Sequence, residues 1–252
     1  MRIISFANQK GGVGKTTTVQ NVGAGLAMMG KRVLLVDLDP QGNLTEGNGI
    51  DPDSLKFTTF DLLLNGTPPS EIVQQITENL FILPANIELA GAEVALANLA
   101  GKDSRLSKAL EQVKDMDIIL IDCPPSLGQL TLNGLTAATE IIVPVQTEFY
   151  SYKGLRRLKE TIDTVKMYTN PKAEISGIVC TFYRDNRNLN KQVEEGLVAN
   201  FGDRVFKTKI RDSIKLAETP AAGQNIFDYQ AKSQGADDYM ELCKEILSME
   251  GR

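Results

Sequence analysis

The 252-residue sequence contains no histidine and only three cysteines. The absence of histidine excludes a Ser-His-Asp hydrolase, a histidine general base and the usual imidazole ligands of a metal site. Cys123, Cys180 and Cys243 are odd in number and far apart, so they indicate neither a disulfide framework nor a local zinc site, and we expect buried thiols. Any chemistry must therefore use carboxylates, lysines, hydroxyl groups and backbone amides.

Long apolar runs are also missing. No run approaches the roughly 20 residues that span a bilayer, and the opening MRIISFANQKGG lacks the apolar core and small-residue cleavage site of a signal peptide. We therefore expect a cytoplasmic protein. The composition, with 42% hydrophobic and 23% charged residues, is typical of a globular protein with a sizeable core. The net charge of −5 gives no general reason to expect nucleic-acid binding, so basic regions are considered separately below.

Short apolar runs alternate with segments of helical period along nearly the whole chain. The runs have the length and β-branched content of buried strands: RIISFAN, RVLLVD, LFILPA, DIILID, EIIVPV, EISGIVC and VFKTKI. Helices are predicted between them, for example over residues 16–30, 104–115, 152–168 and 189–201. This alternation predicts an α/β fold, with a mostly parallel twisted sheet covered by helices on both faces, in one domain over residues 1–252.

Polar and glycine-rich residues collect where the apolar runs end. These strand ends cover residues 8–17, 37–43, 122–128, 146–150 and 181–187. Ligands of parallel α/β sheets bind beyond the carboxyl ends of the strands. These segments are therefore expected to border one site.

The segment KGGVGKTT contains a phosphate-binding loop between a predicted strand and a predicted helix. Its glycines permit a tight turn whose amides point at one anion, and the following helix adds its positive N-terminal end. In this arrangement Lys15 reaches the β- and γ-phosphates, and the Thr16 hydroxyl binds Mg²⁺. The usual pattern requires glycine at position 9, where this sequence has Gln9, and a second lysine, Lys10, precedes the loop glycines. A solvent-exposed turn residue is the alternative interpretation of Lys10.

Carboxylates end two further strands. Asp37 and Asp39 are two residues apart in VDLDPQGN, which places both on the same side of an extended segment. Both could simply cap the turn, and this alternative stays open for Asp37 in particular. Asp122 ends the strand DIILID, where it can hold Mg²⁺ through water, and the following PPSLG segment forms a loop able to sense a γ-phosphate. No Asn-Lys-x-Asp motif for guanine is present, so ATP is the expected nucleotide.

These motifs resemble those of the ParA/MinD family of ATPases. KGGVGKTT is similar to the family's deviant Walker A loop, and VLLVDLDPQGN and DIILIDCPPSLG are similar to the two motifs that follow it. NIELAGAE, IKLAETPAAG and GADDYMEL are similar, in the same order, to segments of the chromosomal ParA branch, often called Soj. The resemblance covers almost the full length and implies a single-domain P-loop NTPase fold.

The resemblance also implies roles for individual residues. Lys10 would cross a dimer interface to the phosphates held by the partner subunit, so that ATP joins two subunits, and Asp39 would orient the attacking water. Lys10, Lys15 and Asp39 are then the catalytic residues, and Thr16 and Asp122 hold Mg²⁺. The implied contacts with ATP are those of Lys10, Gly11, Gly12, Val13, Gly14, Lys15, Thr16, Thr17, Asp122 and Pro220, with the adenine near residues 181–183 and near Pro220.

Residues 184–215 are locally basic, with eight basic against five acidic residues. A solvated face is the alternative interpretation of such an excess. The resemblance instead implies DNA binding without sequence reading, through Arg184, Arg187, Arg211 and Lys215. The segment TFYRDNRNLNKQV holds one additional residue relative to the family, so either Arg184 or Arg187 is the equivalent residue, and Arg187 is favoured. Lys215 stands where arginine is common and lacks bidentate phosphate geometry.

Together these features predict a DNA-partitioning ATPase. ATP is expected to form a homodimer that binds DNA non-specifically on the nucleoid, and hydrolysis stimulated by a ParB-like partner releases it. The main alternative is a MinD-like positioning ATPase that binds a membrane through a basic amphipathic tail, but the tail DDYMELCKEILSMEGR is acid-rich and is expected to pack on the body, so no membrane partner is expected.

Three further classes are disfavoured. An iron–sulfur reductase would need a second cysteine soon after Cys123, and a non-enzymatic scaffold would not need Lys15, Asp39 and Asp122 together. A helix-turn-helix domain ahead of the first strand is not expected, because that strand begins close to Met1.

Overall fold

The computed structural model describes residues 1–148 and 151–249. Phe149 and Tyr150, in one predicted strand-end segment, and residues 250–252, in the predicted tail, lie outside the described residues. The strands are β1 Arg2–Phe6, β2 Val33–Asp37, β3 Gln74–Gln75, β4 Leu80–Leu83, β5 Ile118–Asp122, β6 Glu140–Gln146, β7 Ile175–Tyr183 and β8 Val205–Arg211. The helices are α1 Lys15–Met28, α2 Asn43–Gly47, α3 Thr59–Leu64, α4 Pro69–Ile72, α5 Leu89–Leu96, α6 Arg105–Leu110, α7 Gln129–Ala137, α8 Ser151–Tyr168, α9 Asn188–Phe201, α10 Ile214–Glu218, α11 Ile226–Gln230 and α12 Gln234–Ser248.

In this part of the chain the eight strands form one sheet in the order β3-β4-β2-β5-β1-β6-β7-β8. All pairings are parallel except that of β3 with β4. Parallel neighbours require long crossover connections, which the helices provide. The predicted mostly parallel sheet is confirmed.

Side chains of the central strands point alternately into two hydrophobic cores. In β2, Leu34 and Val36 pack in the first core, whereas Val33 and Leu35 pack in the second. Helices α3–α9 cover the first core, and α1, α2 and α10–α12 cover the second. Because both faces are buried, the strands are continuous apolar runs rather than alternating ones. The predicted α/β fold with helices on both faces is therefore confirmed.

Helix boundaries agree with prediction in three of the four named cases, within two residues at each end. The predicted helix over residues 104–115 is shorter, because α6 ends at Leu110 and the chain turns through Asp115, whose φ of 60° lies in the left-handed region. Arg32 Nε donates a hydrogen bond to Asp115 O at 2.6 Å, which stabilises this turn. Strand β3 was not predicted, since two residues carry no readable period.

The acid-rich tail packs on the body, as predicted. In α12 the side chains of Tyr239, Leu242, Cys243 and Ile246 are buried, and the helix contacts α1 and β8. Within residues 1–148 and 151–249, no helix combines the length and the apolar content needed to cross a bilayer.

Candidate functional site

The strand order brings three predicted strand ends together. β5 lies between β1 and β2, so the phosphate-binding loop after β1 lies beside the aspartates that end the other two strands. Asp122 is paired in register with Phe6 on one side and with Asp37 on the other. One site at the carboxyl edge of the sheet therefore contains all three motifs.

The phosphate-binding loop turns sharply at two glycines. Gly12 and Gly14 have φ values of 69° and 82°, a conformation that residues with a Cβ rarely adopt. Gly14 leads directly into α1, which has no side-chain cap and no acidic residue in its first turn. The first amides of α1 are therefore available to an anion.

The two lysines of the loop have different surroundings. Lys15 is only 6% exposed, and its Nζ lies 3.5 Å from the carbonyl oxygen of Lys10. Lys10 Nζ donates to Gln146 Oε1 at 2.9 Å and forms an ion pair with Glu148 Oε2 at 2.6 Å. Sequence reasoning gave these two partners no role, although both lie in the strand-end segment 146–150. These contacts lie within one chain, so the approach of Lys10 to a partner's phosphates stays a prediction.

Thr16 and Asp122 lie close enough to share one Mg²⁺ ion. Thr16 Oγ1 donates to Asp122 Oδ2 at 2.6 Å, and the buried Asp122 Oδ1 has no hydrogen-bond partner among the described residues. Burial, together with the charge of Asp37, raises the pKa of Asp122 to about 8. A hydroxyl and an orphaned carboxylate oxygen are hard ligands that fit Mg²⁺. In the described part of the chain no group of three acidic, cysteine or histidine side chains could hold a metal ion.

Asp37 is a structural residue in this arrangement. It is fully buried and accepts hydrogen bonds from Asp39 N at 3.0 Å, Thr45 N at 3.0 Å and Thr45 Oγ1 at 2.8 Å. Burial raises its pKa to about 7 despite these bonds. The turn-stabilising alternative is therefore supported for Asp37, and sequence reasoning missed its partner Thr45.

Asp39 lies at the rim of the same cluster. It is 8% exposed, and its Oδ1 accepts a hydrogen bond from Gln41 N at 3.0 Å. Its charge contributes to the raised pKa values of Asp37 and Asp122, which places it close to both carboxylates. The position is compatible with the predicted role in orienting water, which stays a prediction.

A cavity of about 130 Å³ lies between the phosphate-binding loop and the ends of β7 and β8. Thr181 Oγ1 donates to Val13 O at 2.9 Å and so joins β7 to the loop. Phe182 has a φ of 50°, which is strained for a bulky residue, and its ring edge lies 3.5 Å from the place of a Gly14 Cβ. Residues 181 and 182 line this cavity, and the expected position of adenine beside them stays a prediction. Pro220 is exposed and is not among the residues that line this cavity.

Three of the four predicted DNA-binding residues are paired with carboxylates of the same chain. Arg184 pairs with Asp212, Arg211 with Asp238, and Lys215 with Glu218. Sequence reasoning counted charges along one segment and missed Asp238, which lies on α12 and carries no local signal of this contact. Arg187 is exposed at the N-cap of α9 and has no ion-pair partner among the described residues.

The cysteines are buried free thiols, as predicted. Cys123 Sγ lies 2.7 Å from the place of a Gly134 Cβ, so its side chain points under α7. Burial raises the pKa of Cys180 and Cys243 to about 12 and that of Cys123 higher still, so all three remain protonated near neutral pH.

Comparison with known proteins adds an independent finding. A family model described as an AAA domain matches residues 1–175. The chain is 45% identical over 249 residues to the sporulation initiation inhibitor protein Soj of Bacillus subtilis, covering 98% of each. It is 40% identical over 254 residues to the chromosome partitioning protein ParA of Caulobacter vibrioides, covering 99% of this chain and 95% of that protein.

A solved structure agrees with the fold. A Mycobacterium smegmatis protein described as cobyrinic acid a,c-diamide synthase, with bound ADP and magnesium, superimposes with a TM-score of 0.87 at 41% identity. The match covers 100% of this chain and 97% of that one. From the relatives, the P-loop geometry and the sheet topology together, the chain belongs to the Soj/ParA family of chromosome-partitioning ATPases.

Proposed function

We propose that this protein binds ATP and Mg²⁺, forms a homodimer around two ATP molecules, and in that state binds DNA without sequence preference. Hydrolysis, stimulated by a ParB-like partner, returns it to a form that leaves the nucleoid. The observation that carries the proposal is the presence of two lysines in one loop, with Lys15 buried in it and Lys10 at its rim. In this proposal the first neutralises the phosphates of its own subunit, and the second reaches the phosphates of a facing subunit.

Different residues of this chain have different roles in the proposed phosphoryl transfer. The amides of the loop and of the first turn of α1 bind the phosphates, and Lys15 neutralises their charge. Thr16 and Asp122 hold Mg²⁺, which when bound supplies positive charge at the β- and γ-phosphate oxygens. Asp39 orients the attacking water, a role that needs alignment more than basicity because the transition state is loose.

The cavity beside Phe182 suits the adenine base. It is open towards Gly14 and Thr17, where the phosphates of the same nucleotide would begin. Phe182 offers a ring face, and Leu216 and Ala217 offer apolar side chains from α10. Stacking and apolar contact favour a purine there.

DNA binding is proposed for the surface around Arg187, Arg184, Arg211 and Lys215. The chromosome-partitioning relatives support this assignment. Since several of these cations are already paired within the chain, one subunit offers few free charges, and a dimer doubles them. The affinity should therefore depend on ATP.

Two alternatives make different predictions. A MinD-like membrane function needs the apolar face of the tail helix to be available, whereas that face of α12 is packed against α1 and β8. An amide-forming activity, as in the description of the M. smegmatis protein, would consume ATP only with a carboxylic acid and an ammonia donor.

The decisive experiment is retention of the purified protein on DNA of unrelated sequence with ATP, ADP or no nucleotide, over a salt series. We expect retention only with ATP and Mg²⁺, steeply weakened by salt, and none on anionic vesicles. Retention that does not depend on nucleotide would contradict the proposal and favour a merely solvated basic face. ATP consumption that requires an ammonia donor and ignores DNA would favour the amide-forming alternative.

A further inference from the structure

Glu93, on α5, reaches across to the start of α7. Its Oε2 accepts a hydrogen bond from Gln129 N at 2.6 Å, and its Oε1 lies 3.4 Å from Ser126 Oγ, which donates to it. Helix α7 has nine residues, no acidic residue in its first turn and no side-chain cap from its own N-cap residue, Gly128. A carboxylate from another helix therefore supplies the negative charge that the N-terminus of α7 favours.

Gly128 is the place where this contact is tightest. A Cβ on Gly128 would lie 2.6 Å from Glu93 Oε2 and 2.8 Å from Oε1, closer than real Cβ contacts permit. Its φ of −87° is accessible to any residue, so its backbone conformation does not require glycine. A side chain at residue 128 would therefore displace the end of the flexible Glu93 side chain from its contact with Gln129 N.

The segment held in this way lies between β5 and α7 and passes the phosphate-binding loop. Residues 123–128 connect Asp122, a proposed Mg²⁺ ligand, to the start of α7. Midway along it, Pro125 Cβ lies 4.0 Å from the place of a Cβ on Gly11 in the phosphate-binding loop. At its far end Thr131 Oγ1 donates to Ser126 O at 2.6 Å. Glu93 thus fixes the C-terminal end of residues 123–128, and the proposed Mg²⁺ ligand Asp122 directly precedes their first residue.

We infer that Glu93 is a positioning residue for ATP hydrolysis: it holds residues 123–128 against the phosphate-binding loop, and Gly128 is small so that it can do so. This inference rests on the proposed function, because it concerns the step in which Asp122 and this segment meet the γ-phosphate. Glu93 itself touches neither the nucleotide site nor the loop glycines. It should therefore affect turnover more than nucleotide binding.

Glu93→Ala is compared with Glu88→Ala, which removes the same charge from an exposed residue at the start of α5. Steady-state hydrolysis is expected to show kcat lowered about tenfold in Glu93→Ala with KM nearly unchanged, because a misplaced segment costs alignment rather than binding. Glu93→Gln, which keeps one acceptor oxygen, should recover part of the loss. A Glu93→Ala protein with the kcat of Glu88→Ala, or with KM raised and kcat kept, would overturn the inference.

A double-mutant cycle tests the contact itself. Gly128→Ala should lower kcat in the parent, because the new methyl group displaces the Glu93 carboxylate. In the Glu93→Ala background the same change should add less than about twofold, since the obstacle is gone. Full additivity of the two changes would show that they act separately and would overturn the inference.

A fluorescence measurement separates this inference from the proposed function. The chain has no tryptophan, so Leu127→Trp provides a single reporter within residues 123–128. Acrylamide should quench this reporter more strongly in Glu93→Ala than in Glu88→Ala, with or without nucleotide. Should the parent hydrolyse no ATP, the proposed function fails, yet equal quenching in the two variants would independently refute the restraint by Glu93.

Discussion

Lys10 and Lys15 show how the surroundings of one residue type decide what it can do. Lys15 is buried against the loop backbone, so its ammonium group is already placed for a phosphate bound by the same chain. The Lys10–Glu148 ion pair is 36% and 52% exposed in its two side chains. A pair so open to water contributes little, about 0–1 kcal/mol, and can be exchanged for another anion at small cost.

Replacing Lys10 with alanine should therefore abolish ATP-dependent dimerisation and leave ATP binding to the single chain largely intact. Sedimentation velocity with ATP and Mg²⁺ measures the first property, and titration with a fluorescent ATP analogue measures the second. Lys172→Ala, which removes an exposed lysine ahead of β7, is the matched control and should behave like the parent. If Lys10→Ala still forms the dimer with ATP, Lys10 has no role between subunits.

Asp122 makes the stability of the nucleotide-free protein depend on pH. Burial raises its pKa from the ordinary value of 3.8 to about 8, so the folded state binds more protons than the unfolded state between these pH values. The free energy of unfolding should then fall as pH rises from about 4 to about 8, by up to about 1.4 kcal/mol per pH unit from this residue.

Asp122→Asn should flatten this dependence and make the nucleotide-free protein more stable than the parent at pH 8. Urea unfolding at several pH values, without Mg²⁺, measures the slope. Asp53→Asn, at an exposed aspartate, serves as the control and should keep the parental slope. An unchanged slope in Asp122→Asn would mean that the buried carboxylate does not hold its proton.

At the scale of elements, α12 protects an edge of the sheet. Among the described residues β8 is the last strand of the sheet, so its outward backbone groups have no strand partner there. Asp238 accepts a hydrogen bond from Arg211 N at 3.0 Å, and Glu245 accepts from Lys207 N at 3.1 Å and Thr208 N at 2.9 Å. These carboxylates lie two turns apart on one face of α12, which thereby covers part of the edge against further pairing.

Glu245→Ala should lower the free energy of unfolding by about 1 kcal/mol, because two strand amides lose a charged acceptor. Denaturant unfolding measures the change. Glu241→Ala removes an exposed carboxylate of the same helix whose partner is Lys244, and it should cost much less. Equal losses in the two variants would show that the strand amides gain nothing from Glu245.

Over the whole molecule, a net negative charge is combined with basic residues that are mostly paired with carboxylates of the same chain. The net charge is −5, and the basic residues near the ends of β7 and β8 are largely neutralised by internal carboxylates. Arg187, by contrast, has no such partner in the described part of the chain. A molecule of this kind should bind DNA weakly as a monomer.

Arg187→Ala should therefore weaken DNA binding more than Arg184→Ala, because Arg184 is already held by Asp212. Each lost phosphate contact should reduce the slope of log affinity against log salt by about one. Fluorescence anisotropy with labelled DNA, ATP and Mg²⁺ over a salt series measures both quantities. A larger effect from Arg184→Ala would assign the contact to that residue instead.

Local pattern was enough to predict much of this protein. Buried parallel strands are apolar along their whole length and are joined by helices, so seven of the eight strands, the fold class and the helices on both faces could be predicted from short segments. The phosphate-binding loop and the strand-end aspartates were predicted for the same reason, since each depends on neighbours a few residues away. The two-residue β3 and the left-handed turn at Asp115 are too short to produce a recognisable local pattern, and they were not predicted.

The sequence by itself determined which groups stand at the strand ends, and the tertiary structure alone decided which of them meet. Strand order placed β5 between β1 and β2 and so joined Thr16 to Asp122. Packing of helices from distant parts of the chain brought Asp238 to Arg211 and Glu93 to Gly128. Such contacts form because whole helices and strands bury one another. The local hydrophobic pattern does not indicate which residues far apart in the sequence will meet.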